Sequence, residues 1–96
     1  MAAYLVGRMT VKNPELWREY VAGVGRSLAP FDAQILFRGE AGSPLAGELP
    51  HDRAVVIRFI DEDAVLAWFH SADYQALVPL RNRAADVDLA WYRDAT

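Results

Sequence analysis

A chain of 96 residues has room for one hydrophobic core and is too short for two, which excludes a two-domain enzyme. Hydrophobic residues at 53% against 24% charged give a globular balance, and ten Lys and Arg against 13 Asp and Glu leave a net charge of −3, so no general field draws the surface to nucleic acid or anionic lipid. Zero cysteines remove disulfide scaffolds, thiol nucleophiles and thiolate zinc sites; with no apolar run of membrane-spanning length and no basic-led leader, one domain over residues 1–96, in the cytoplasm, is expected.

From Ala3 to Val11 the chain alternates at a period of two, with Leu5, Met9 and Val11 against Tyr4, Val6, Arg8 and Thr10, which predicts a first strand. Asn13-Pro14 then opens a helix: Asn is a favoured N-cap, and proline at the first helical position gives up an N–H that would have been unpaired anyway. Leu16, Tyr20, Val24 and Leu28 recur at helical spacing, widened by Trp17 and Val21, until Pro30. Gly23 and Gly25 weaken the last turns by roughly 1 kcal/mol each relative to Ala. Phe31 to Gly39 alternates again as a second strand, with Ile35 and Phe37 on one side and Gln34, Leu36 and Arg38 on the other.

The stretch EAGSPLAGELPHD is rich in Gly and Pro and reads as a long connection to a third strand, RAVVIRFI. Asp61 caps a short helix through Val65, Trp68 and Phe69, and Ser71 caps a second segment carrying Tyr74, Leu77, Val78 and Arg81 at i, i+3, i+4 and i+7. Pro79 inside that segment predicts a kink or a break. Val87 to Arg93 alternates as the last strand, with Leu89 and Trp91 against Asp88, Ala90 and Tyr92.

The order is βαββαβ, an α+β ferredoxin-like fold in which two helical segments cover one face of a four-stranded antiparallel sheet. With Leu5, Met9, Ile35, Phe37, Val55, Ile57, Phe59 and Leu89 assigned to the helices, Tyr4, Val6, Leu36, Val56, Ala90 and Tyr92 leave a second face too apolar for open water. A second copy packed face to face about a two-fold axis buries both, so a homodimer through the sheet face, a dimeric α+β barrel, is expected.

Familiar catalytic patterns are missing. Gly23-Val-Gly25 lacks the third glycine of a dinucleotide loop and sits at a helix end, so no cofactor is expected. Ser27 has no nucleophile-elbow context. His51 and His70 stand far apart without ligand spacing, so no metal is expected. Arg8, Arg38 and Arg58 are assigned to the strand face away from the helices, where arginine forks could pair with local acids or bind a carboxylate. In Trp68-Phe69-His70-Ser71-Ala72-Asp73-Tyr74, Ser71 and Asp73 are what a helix start requires. Tyr74 and Arg81 share the apolar side of the segment, where a guanidinium must find a partner or line a cavity, and with His70 they could hold and polarise a small carbonyl compound.

The spans Asn13-Pro14-Glu15 with Tyr20-Val21, Arg38-Gly39, Arg53 to Phe59, and Ala67 to Gln75 with Leu80-Arg81 and Ala84-Ala85 resemble the small bacterial family named domain of unknown function 1330. The aromatic pair before Ser-x-x-Tyr-Gln, with an Arg seven residues after the Tyr, is the most specific part. The resemblance covers nearly the whole chain and implies a dimeric α+β barrel without naming a reaction; related barrels include cofactor-independent monooxygenases and haem-degrading enzymes, a likeness of fold. Where the family usually has Gly-Gly after the first helix this chain has Asp32-Ala33, which implies a turn without positive φ. Where the family has Glu-Gly in the central connection it has Ala46-Gly47, with Glu48 displaced.

Arg38, Arg53, Ser71, Tyr74 and Arg81 match the family pattern, and with Trp68 they make the candidate ligand-binding set; Tyr74 and His70 are the candidate catalytic residues. The leading expectation is a homodimeric barrel binding a modest organic molecule, carboxylated in the simplest case, between sheet and helices. The alternatives are a cofactor-independent isomerase or monooxygenase of the same class and a purely structural or protein-interaction module.

Overall fold

The computed structural model describes residues 1–95. Its elements are β1 (Ala3–Val11), α1 (Pro14–Leu28), β2 (Gln34–Glu40), β3 (Arg53–Phe59), α2 (Glu62–His70), α3 (Ala72–Gln75), α4 (Val78–Ala84) and β4 (Ala85–Arg93). The caps read from sequence are in place. Asn13 Oδ1 accepts from the Glu15 and Leu16 amides at 3.1 and 3.2 Å, and Asp61 Oδ1 accepts from the Ala64 amide at 2.8 Å, each satisfying amides that no preceding turn can reach. Pro79 produces a full break: α3 stops at Gln75 and α4 starts afresh at Val78, which puts the proline in a first turn.

The sheet order is β2-β3-β1-β4 and every neighbouring pair is antiparallel, the ferredoxin-like arrangement. Helices cover one face. Leu5, Ile57 and Phe59 of that face pack with Tyr20, Leu28, Val65, Trp68 and Tyr74 into the core, in which Phe59, Val65, Trp68 and Tyr74 are the largest fully enclosed side chains. Between α1 and β2 the chain makes one 3-10 turn, Ala29–Phe31, and then passes through Asp32 at φ 49°. The turn therefore does take a positive φ, contrary to the sequence expectation; a short aspartate side chain tolerates the left-handed region where the family uses glycine.

A β-bulge changes the assignment of faces in β2. Ile35 pairs with Ile57, but Phe37 pairs with Val56 and Arg38 with Val55, so Leu36 is an extra residue on that strand. Because side chains alternate with a period of two, one extra residue exchanges the faces of everything beyond it. Phe37 thus lies on the outer face, away from the helices, and Arg38 on the inner face, the reverse of the alternation read from sequence. Gly39 shares the face of Phe37, and a Cβ there would come within 2.5 Å of Phe37 Cζ, so the aromatic ring lies directly across the glycine. Arg8 and Arg58, in register with Asp88 and Tyr4, keep their outer positions.

Candidate functional site

A cavity of about 750 Å³ lies between α1 and the inner face of the sheet. Its apolar wall comes from Leu5, Met9, Ile57 and Leu89 below and from Trp17, Tyr20, Val21 and Val24 of α1 above, with Trp68 contributing from α2. The volume is within the range of roughly 300–1,000 Å³ usual for small-molecule sites. The polar groups gather where β2 and β3 meet α1: Arg38 and Glu40 from β2, Arg53 from β3 and Arg18 from α1. Three cations and one anion make this rim positive in a chain whose net charge is −3. Arg53 Nη2 lies 3.9 Å from Glu40 Oε1, a loose and solvent-exposed pair. Neither Arg18 nor Arg38 has an ion-pair partner among the described residues.

Of the residues singled out from sequence, Arg38, Arg53 and Trp68 come together on this cavity; Arg38 does so because of the bulge. The others occupy the adjoining corner formed by α2, α3 and α4. Ser71 Oγ donates to the Trp68 carbonyl at 2.6 Å and accepts from the Tyr74 amide at 3.2 Å, as the cap of α3. Tyr74 is wholly buried; its hydroxyl lies 2.8 Å from the Tyr20 hydroxyl and accepts from Arg81 Nη1 at 3.0 Å. His70 is exposed at the end of α2, edge-on to Phe69. Tyr20 connects the two regions, because it lines the cavity while its hydroxyl is bonded to Tyr74.

The bond from Arg81 has a fixed direction: a guanidinium can only donate, so the Tyr74 oxygen accepts from it. Between the two tyrosines either hydroxyl can be the donor. Burial, reinforced by the charge and hydrogen bond of Tyr74, pushes the Tyr20 hydroxyl far above the usual tyrosine range, with Arg81 acting weakly the other way. Tyr20 therefore stays protonated and is not a base. The Trp68 indole N–H is also committed: it donates to Ser27 Oγ at 2.9 Å, which in turn donates to the Val24 carbonyl at 2.7 Å.

Sequence reasoning left Arg18, Tyr20 and Glu40 out of the candidate site. Arg18 looks like any exposed helix cation, and the signal beside it is positional: Ala22 and Gly25 follow at i+4 and i+7, a flank of small residues next to the apolar stripe. The two histidines stay apart. His51 sits on the outer side of the sheet, its Nδ1 2.9 Å from Thr10 Oγ1 and its Nε2 3.1 Å from Asp88 Oδ2, pinning the end of the connection between β2 and β3. Among the described residues no group of three or more His, Asp or Glu could hold a metal ion, and no helix is long and apolar enough to cross a membrane.

The family model described as domain of unknown function (DUF1330) matches residues 2–94. No curated protein is significantly similar in sequence. Among solved structures, a protein of unknown function from Rhodopseudomonas palustris superposes with a TM-score of 0.83 at 13% identity, covering 99% of this chain and 83% of its own. SnoaB, a cofactor-independent oxygenase from Streptomyces nogalater, gives 0.69 at 12% identity, covering 99% and 94%. A dimeric ferredoxin-like protein of unknown function from Thermobifida fusca gives 0.64 at 17%, covering 96% and 90%. At these identities the likeness is one of fold.

Proposed function

The chain belongs to the DUF1330 family, and from that premise we propose that it is a homodimeric barrel protein that binds a small carboxylate-bearing organic molecule in the cavity under α1. The observation that carries this reading is an apolar, aromatic-walled space with Arg38 and Arg53 at its rim. The two arginines are diagonal neighbours across β2 and β3, since Arg38 is opposite Val55 and Arg53 opposite Glu40. Side chains so placed can converge on one planar anion, and arginine forks suit carboxylates. Native mass spectrometry of freshly purified protein tests the proposal: a co-purifying acid released on denaturation and lost in Arg38→Gln supports it. A ligand-free spectrum, together with no thermal shift across a panel of organic acids, would sink it.

Dimerisation through the outer sheet face is part of the same proposal. Leu36, Phe37 and Tyr92 are roughly half exposed there, beside Tyr4, Val6 and Val56. Face-to-face packing of two copies would remove this surface from water, and one neighbour in fold is described as dimeric. Phe37→Asp would place a carboxylate in each half of the interface and should yield monomers in sedimentation. A dimer unmoved by the change assigns the interface elsewhere.

A second reading, a cofactor-independent enzyme acting on the bound molecule, draws on the Tyr20 hydroxyl. The Tyr20 ring lines the cavity and its hydroxyl, held protonated, is bonded to Tyr74; a substrate oxygen that replaced that bond would meet a donor suited to steadying negative charge. Turnover of the co-purifying compound in air that is lost in Tyr20→Phe, with binding retained, would favour this reading over simple binding.

A further inference from the structure

We propose that the acid group of the ligand is held between Arg18 of α1 and Arg38 of β2, with Arg53 in a lesser role, and that the ligand is a bulky apolar acid. This rests on the cavity reading above and deepens it. Three guanidinium groups line the space, but they are not equivalent. Arg53 is already faced by Glu40 at 3.9 Å, and that carboxylate would repel a ligand anion brought beside it. Arg38 lies two residues before Glu40 on the same face of β2, but neither it nor Arg18 is in ion-pair contact with a carboxylate among the described residues, and the two come from different walls of the cavity, one from the helix and one from the edge strand. A carboxylate between them would be met from both sides by forks on long stems, so the helix and the edge strand would be braced together through the ligand.

The body of the ligand follows from the rest of the lining. Inward from the arginines the wall is aromatic and aliphatic, and the indole N–H of Trp68 is already spent on Ser27, so little there asks for a polar partner. The space, about 750 Å³ and partly open to solvent, has room for a fused-ring or long acyl body. Such a molecule would bury its apolar part beneath α1 and leave its acid at the positive rim.

Equilibrium binding of 2-naphthoate and of its neutral counterpart 2-naphthamide tests this on the full chain. Wild type should take the acid more tightly than the amide. Arg18→Gln and Arg38→Gln should each weaken the acid about tenfold, the loss expected for one charge-assisted contact, while leaving the amide unchanged. Glu40→Gln should leave acid binding equal or tighter. Acid binding indifferent to Arg18→Gln but weakened by Arg38→Gln overturns the Arg18–Arg38 anchor and leaves the cavity reading standing; equal affinity of the two compounds in wild type overturns the carboxylate reading as well. Failure of wild type to take up either compound overturns both. Circular dichroism and melting of each variant confirm that the comparison is made on folded protein.

Discussion

The inner face of the sheet is covered in two ways. Over one part, α2 with the turns of α3 and α4 packs solid: Phe59, Trp68 and Tyr74 lie ring against ring, with Trp68 and Tyr74 centroids 4.2 Å apart, and no buried side-chain polar atom among the described residues lacks a partner. Over the other part α1 stands off the sheet, and the gap is a cavity whose rim carries two arginines without ion-pair partners. The same sheet thus supports a corner specified by packing and a space specified by what it leaves open. A satisfied network fixes one arrangement, whereas uncompensated cations beside an apolar hollow are what a site for an acid requires.

The largest test of that contrast compares Trp68, which packs in the corner and borders the cavity, with Trp17, which lines the cavity from α1. Trp68→Ala empties a site with 1% exposure and strands Ser27, and should cost about 3–5 kcal/mol in urea unfolding. Trp17→Ala acts on a half-buried ring whose inner side already faces the cavity, so the loss should be clearly smaller, on the order of 1–2 kcal/mol. Equal losses would mean that the cavity is closed by packing in solution and that the contrast is wrong.

Next in size is Tyr74→Phe, which keeps the ring but cuts the link between Arg81 and Tyr20. The Tyr20 hydroxyl would lose its partner while still enclosed, so about 1–3 kcal/mol should disappear from the unfolding free energy. The effect on cavity binding should be much smaller than that of Arg38→Gln. A variant that melts normally yet no longer takes up acid would move the site into the packed corner, with Tyr74 and Arg81 as its anchors.

The same hydroxyl pair predicts an alkaline limb in the stability profile. The folded state raises the Tyr20 value above the ordinary tyrosine value of about 10, so the folded chain holds this proton more tightly than the unfolded chain. Stability from this source is fully present below about pH 10 and falls as pH rises beyond it, because the unfolded state then releases the proton first. Tyr20→Phe should flatten that limb in melts taken from pH 8 upward. An unchanged slope would assign the limb to other tyrosines or to lysine.

How much of this was legible beforehand follows the same division. The strands, α1 and the caps at Asn13, Asp61 and Ser71 are written in local patterns, because alternation and capping depend on residues a few positions apart. The bulge at Leu36 is a two-against-one pairing with β3; nothing within β2 marks it, and it alone decides that Arg38 faces the cavity and Phe37 the outer sheet. The left-handed Asp32 was similarly hidden, since aspartate permits that conformation without demanding it. Ser71, Tyr74 and Arg81 were visible as a motif, yet their spacing could not say that Tyr74 would be enclosed and bonded to Tyr20. The cavity depends on the height of α1 above the sheet, a property of the assembled core that no window of sequence contains.

The smallest effect is also the sharpest, because the two regions meet on one helix. Gly23 and Gly25 are two residues apart in α1, and both cost the helix backbone entropy relative to alanine. A Cβ at Gly23 would lie 2.6 Å from Leu77 Cδ2 and 3.1 Å from its Cδ1, on the packed side; a Cβ at Gly25 would meet nothing within 4 Å, on the cavity side. Gly25→Ala should therefore raise stability by about 0.5–1 kcal/mol, the propensity gain with no steric charge against it. Gly23→Ala collects the same gain but must drive Leu77 out of its place between helices, at a cost of about 1–3 kcal/mol, so the net change should be a loss. Opposite signs in paired thermal melts are the expected result. If both variants gained, Leu77 would have room to yield and the corner would be looser than its contacts indicate; if both lost, α1 would sit closer to the sheet in solution and the space beside Gly25 would be filled.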